Sequence, residues 1–157
     1  MIRAVESKEI PQVADLFIEF MFELKVVSGD SYFDFDQIVK ADIINYLVDF
    51  LNCDTGVIYC STDNRDQITG FIIGMEKDCF LPLSKVKKIG YIEALYVKNA
   101  FRRKGIAKEL EERLLSYFRG RELKYIELNL LTNNDQAKGF WSYRDYSAFR
   151  EQYRKHL

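Results

Sequence analysis

Histidine is almost missing from this 157-residue chain; the one copy is His156. Triads and dyads that rely on imidazole, and metal sites of the histidine type, are therefore excluded from the body of the sequence. The three cysteines, Cys53, Cys60 and Cys79, are unevenly spaced and form no C-x-x-C pair. That argues against a zinc site or a disulfide framework and for buried free thiols. Proline occurs only twice, and glycine, at eight, is unexceptional, so no linker or disordered tail suggests itself. No apolar run approaches the length of a membrane span. Met1 to Glu6 lacks the basic-then-apolar layout of a signal peptide. The expectation is a cytoplasmic protein with no membrane partner, whose chemistry uses carboxylates, tyrosine, lysine, backbone dipoles or a cofactor.

What is present fits one domain, residues 1–157, with one sizeable core: 48 % of residues are hydrophobic and 30 % charged. The net charge is -1, unevenly spread. Residues 1–60 carry 4 Lys/Arg against 11 Asp/Glu, whereas residues 99–157 carry 13 against 8. The asymmetry suits a site that meets two ligands of opposite charge; two ordinary solvated faces would give the same counts. The basic residues gather at one loop and not along a stripe, which argues against a nucleic-acid partner.

Periodicity divides the chain. Ile2 to Val5 reads as a short strand, and Ser7 is placed to cap a helix carrying Ile10, Val13, Leu16, Phe17, Phe20, Met21 and Leu24 inward. Val27 to Phe35 reads as a loop. A second helix is expected from Asp36 to Leu51, with Ile38, Ile43, Ile44, Leu47, Val48 and Leu51 inward. Gly56–Ser61 and Gln67–Met75 read as a hairpin, Lys77–Lys87 as a loop and Lys88–Val97 as a strand. A helix follows from Gly105 to about Arg119, then a strand at 125–131, a short helix at 135–143 and a final strand at 146–155. Alternation of strand and helix after a hairpin predicts an α/β or α+β mixed sheet, with strands 88–97 and 125–131 parallel.

The junction after Val97 carries the chemistry. A helix start exposes unpaired N–H groups and a partial positive charge, which together bind phosphate. Gly105 lets a ligand approach the backbone, Ala107 is nearly as small, and Arg102, Arg103 and Lys104 add cations. A cation cluster opposes the helix dipole, and that frustration favours an anionic ligand over a merely cationic loop. Neither the P-loop string nor G-x-G-x-x-G occurs.

Leu95-Tyr96-Val97 followed by Arg102-x-x-Gly105-x-Ala107 resembles the central motif of the GNAT superfamily of N-acetyltransferases, [QR]-x-x-G-x-[GA] after a strand. Asn134-x-x-Ala137-x-x-Phe140-Trp141 and then Asp145-Tyr146 is similar to the later N-x-x-A-x-x-F-Y…G-F segment. Ile2-Arg3-Ala4-Val5 into Ile10-Pro11-Gln12-Val13 looks like a common opening of that family.

The resemblance implies a mixed central sheet flanked by helices and splayed between the two parallel strands, with acetyl-CoA as acyl donor in the cleft. It implies that the amides of Arg102, Arg103, Lys104, Gly105, Ile106 and Ala107 hold the pyrophosphate. Leu95 and Val97 would pair with the pantetheine arm like an added strand, and Asn134 would contact the cofactor. Catalysis would use Glu93 as base and the Val97 N–H as oxyanion donor, with Tyr143 or Tyr146 as substitute for the family's acid, because Trp141 stands at its position. A strand carboxylate tied to a neighbouring Arg or Lys is the alternative for Glu93. Strand alternation places Glu93 on one face with Leu95 and Val97, unless a bulge intervenes. The acceptor would be a small molecule or peptide bearing a primary amine, held by Glu23, Tyr32 and Phe33 among the acidic and aromatic residues of the first third. A homodimer is the family default. A catalytically silent acyl-CoA sensor on the same fold, and an unrelated phosphate-binding α/β protein, are the competing readings.

Overall fold

Every run of alternating residues expected in the middle of the chain forms a strand. The computed structural model describes residues 1–157. Its elements are β1 (Ile2–Ala4), α1 (Ile10–Ser28), α2 (Lys40–Asn52), β2 (Gly56–Thr62), β3 (Ile68–Asp78), β4 (Lys88–Val97), α3 (Ile106–Gly120), β5 (Ile126–Leu128) and α4 (Asp135–Tyr143). One sheet runs in the order β1-β2-β3-β4-β5, antiparallel except for the parallel β4–β5 pair. The parallel pair is joined through α3, as a crossover requires.

Two apolar layers sandwich the sheet. On one face α1 and α2 cover Phe71, Ile73, Ala94 and Tyr96. On the other, α3 and α4 cover Ile72, Ile92 and Val97 with Leu110, Leu114, Phe118 and Trp141. Leu110, Leu114 and Phe118 recur at i, i+4 and i+8, which keeps them on one stripe of α3. Phe118 lies over Gly90, where a Cβ would meet its ring at 2.7 Å. Gly90→Val is therefore expected to cost about 1–3 kcal/mol in urea unfolding, through overpacking, despite the strand preference of valine. A variant as stable as the parent would mean that the ring yields freely.

Several expectations need correction. Ser7 does not cap α1; it sits in a 3-10 turn (Ser7–Glu9), and the Glu9 carboxylate accepts the Glu6 amide at 2.9 Å. Arg3 holds the buried Glu9 at 2.5 Å and keeps its carboxyl low, at about 2. α1 continues into the expected loop as far as Ser28 and stops at Gly29, whose φ of 58° gives a left-handed cap. α2 starts at Lys40 and not Asp36, and it turns Phe50 inward while Val48 is exposed.

The final strand expected over Tyr146–Lys155 is absent. Side chains tie the tail to loops instead: Phe149 and Arg150 pack on Phe80, and Arg154 pairs with Asp30 and lies over Tyr32. β5 likewise ends at Leu128, not 131.

Candidate active site

β4 and β5 part company after Ile92, which pairs with Leu128 in the last register position they share. β4 runs on to Val97 with that edge open. The Lys98 amide donates to Thr69 at 2.9 Å, which sets the phase of the β3–β4 ladder. In an antiparallel ladder, alternate residues aim their main-chain groups at the partner. Lys98, Tyr96 and Ala94 thus face β3, and Leu95 and Val97 aim theirs into the gap.

A bulge lies at Glu93. Ile73 pairs with Ala94, but Gly74 pairs with Ile92, so β4 holds one extra residue. The expected face assignment is therefore wrong for Glu93. Ile92, Leu95 and Val97 all belong to the α3 face, whereas Glu93 lies with Ala94 and Tyr96 toward α1 and α2. There its Oε2 accepts from Lys77 Nζ at 3.0 Å, and the same ammonium sits 3.7 Å above the Tyr91 ring. Tyr46 of α2 faces the carboxylate as well. Burial first, and then the Glu93 charge, push both the Tyr46 and the Tyr91 phenols above their ordinary range. The alternative weighed for Glu93, an ion pair with a neighbouring strand, is present.

Beyond Val97 a 3-10 turn (Asn99–Phe101) leads into the loop. Arg103 and Gly105 both take left-handed backbone, with φ of 62° and 82°. The strain at Arg103 is the kind carried by anion-binding nests. The amides of Arg103, Lys104, Gly105, Ile106, Ala107 and Lys108 find no acceptor in the protein. Arg102 departs from expectation: its amide is occupied by the Asn99 carbonyl at 3.2 Å, and Lys108 joins the free set instead.

The Arg102 side chain also turns away from the loop mouth. Nε donates to the Val97 carbonyl at 2.7 Å, and Nη2 donates to both oxygens of Glu23 at 2.9 and 2.6 Å. The guanidinium lies 5.4 Å from the Tyr96 ring centre, and the Tyr96 hydroxyl reaches Glu19 at 3.2 Å and Glu23 at 3.0 Å. Burial, then Glu23, raise the Tyr96 phenol, so it stays protonated and donates. A cavity of about 650 Å³ opens over this network, lined by Ile18, Glu19, Phe22, Glu23, Tyr96 and Asn99 among others. Position along the chain could not reveal that Arg102 and Glu23 meet; opposite charge was the one signal.

The other expected residues are dispersed. Tyr32 is 78 % exposed and covered by Arg154, and Phe33 is half-buried beside it. Neither lines the cavity with Glu23. Asn134 caps α4, its side chain accepting the Ala137 amide at 3.1 Å. Its neighbour Asn133, missed in the sequence, donates to the Val27 and Ser28 carbonyls at 2.8 and 3.0 Å and ties the β5–α4 segment to the end of α1. Tyr143 is 75 % exposed at the end of α4, with no hydrogen bond to any other residue of the site. Trp141 is buried against Phe140 and Tyr146. The Tyr146 hydroxyl is buried with no hydrogen-bond partner, and burial, then the charge of Glu111, raise it. Glu111 itself is spent on Arg144 at 2.5 Å. Asp145 takes the left-handed conformation expected of it, with φ of 65°.

The family model described as Acetyltransferase (GNAT) family matches residues 14–146. No curated protein sequence matches the chain. Among solved structures, a mutant of the BH1408 protein from Bacillus halodurans is similar at a TM-score of 0.88 and 21% identity, covering 100% of this chain and 99% of that one. The aminoglycoside antibiotic 6'-N-acetyltransferase AAC(6')-IG from Acinetobacter haemolyticus is similar at 0.78 and 11% identity, covering 100% and 99%. AAC(6')-Iy, in complex with the bisubstrate analog CoA-S-monomethyl-acetylneamine, is similar at 0.77 and 12% identity, covering 100% and 98%. At these identities the likeness is one of fold.

Proposed function

Because the chain belongs to the GNAT acetyltransferase family, we propose that it transfers an acetyl group from acetyl-CoA to the primary amine of a small molecule or peptide. The observation that carries this reading is the run of acceptor-free amides from Arg103 to Lys108, placed directly after the open edge of β4. Acceptor-free amides at a helix start fit a diphosphate. The exposed cations of Arg103 and Lys104 add to the attraction. Leu95 and Val97 aim main-chain groups into the gap, where an extended amide-bearing arm would pair with them as strands pair.

Acetyl-CoA supplies an activated thioester as substrate. The chain's own residues have three tasks. The Val97 N–H stabilises negative charge on the carbonyl oxygen. Glu93 takes a proton from the attacking ammonium on the α1/α2 side of the bulge. Glu19 and Glu23, with the rings of Phe22 and Tyr96, draw a cationic amine to the cavity. Arg102 now neutralises Glu23, so a diphosphate that recruits the guanidinium would release that carboxylate to the acceptor. We assign no general acid: Tyr143 is exposed, and a thiol with a pKa near 8.5 leaves adequately near neutrality.

The test is release of free thiol from acetyl-CoA across a panel of amines. Polyamines and aminosugars lead it, since two of the similar structures are named for aminoglycoside acetylation. Turnover with at least one cationic amine is expected, and neutral or acidic amines should be poorer. The second reading, a silent acyl-CoA-binding module, draws on the existing Lys77–Glu93 ion pair and the exposed Tyr143. Tight coenzyme A binding with no thiol release across the panel would establish it instead.

A further inference from the structure

We propose that Lys77 is a self-acetylation site, modified by the same chain that binds the acetyl donor; this rests on Glu93 acting as the base. Lys77 lies on β3 opposite Ile89, and its side chain reaches across the sheet face to β4. Its ammonium meets the three features a bound acceptor amine would need. Glu93 Oε2 stands at 3.0 Å to receive a proton. The Tyr91 ring lies 3.7 Å beneath, holding the cation by its face. The bulge at Glu93 marks the point where β5 diverges and the cleft begins. The Lys77 side chain is 38% exposed, so a donor can reach it. Lys77 is thus tethered where a diffusing amine would have to arrive, and tethering replaces a bimolecular encounter.

The transfer balances without any further reagent. The ammonium gives one proton to Glu93, which passes it to water. The free Nζ attacks the thioester carbonyl carbon, a C–N bond forms and the C–S bond breaks. The second Nζ proton ends on the departing sulfur, leaving an amide at Lys77 and a free thiol. The product amide carries no charge, so the ion pair with Glu93 is lost and the carboxylate is left open to an external amine. One event per chain is expected, because the amide cannot react again.

The experiment incubates the full chain with acetyl-CoA and no added amine, and follows each lysine by peptide mass spectrometry. Lys8 and Lys40 serve as internal references, both being surface lysines paired with carboxylates at 2.8 and 2.6 Å. Lys77 is expected to be acetylated at least roughly tenfold faster than either, from its effective concentration at the donor. Its rate should be independent of protein concentration and fall to the reference level in Glu93→Gln. Lys77 modified no faster than Lys8 and Lys40, in protein that acetylates an added amine, would overturn this proposal and leave the enzyme reading standing. A Lys77 rate proportional to protein concentration, or unchanged in Glu93→Gln, would overturn it too. A wild-type chain that binds no coenzyme A would sink both.

Discussion

Gly105→Asp is expected to weaken coenzyme A binding at least roughly 100-fold while leaving the fold in place. The fold should survive because the position is roomy: a Cβ there would meet nothing nearer than Glu109 Oε1 at 3.9 Å. Its φ of 82° is left-handed, which aspartate adopts at modest cost. The binding penalty has two parts. A carboxylate at the amide cluster satisfies the N–H groups the diphosphate needs. It also sets like charge against the ligand, and two unit charges 4 Å apart repel by about 4 kcal/mol at an effective dielectric of 20. Calorimetry with coenzyme A reads the affinity, and a thermal melt confirms that the variant is folded. Unchanged affinity in a folded Gly105→Asp protein would remove the loop as the diphosphate site.

Glu93→Gln is expected to lower kcat by about 10²–10⁴-fold near neutral pH, the range of a general base. The loss should shrink as pH rises. An alkylamine with a pKa near 10.4 is almost wholly protonated at neutral pH, and its free-base fraction grows about tenfold per pH unit. The variant therefore gains from rising pH more than the wild type, and the ratio of the two narrows. A ratio that stays flat across the pH range would remove Glu93 as base. The substitution also takes the charge from the Lys77 ion pair, so a thermal melt is needed beside the kinetics. That pair is partly exposed, and its loss should cost little stability.

Much of this site was legible in the sequence because it depends on local rules. The helix start at Gly105 and its free amides follow from a small residue, a strand before it and a periodic apolar stripe after it. Asp145 in left-handed backbone was likewise a matter of position in a turn. The acceptor side was legible only as composition. Glu23 meets the site through Arg102, 79 residues away, and Asn133 reaches carbonyls more than 100 residues distant. No periodicity encodes such meetings. Tyr32 and Phe33 were grouped with Glu23 by nearness in sequence, yet the tail claims Tyr32 through Arg154.

From sequence alone came the mixed sheet, the β4–α3 junction, the free amides after Arg102 and the absence of imidazole chemistry, since each depends on residues within one or two turns of each other. Tertiary structure alone decided which way Glu93 faces, where Arg102 spends its charge and that the last segment forms no strand. One extra residue in β4 reverses the side on which every earlier side chain emerges, and only pairing with β3 shows where that residue sits. A guanidinium or a tail takes whatever partner the packed elements bring within reach, and that choice is made in space, not along the chain.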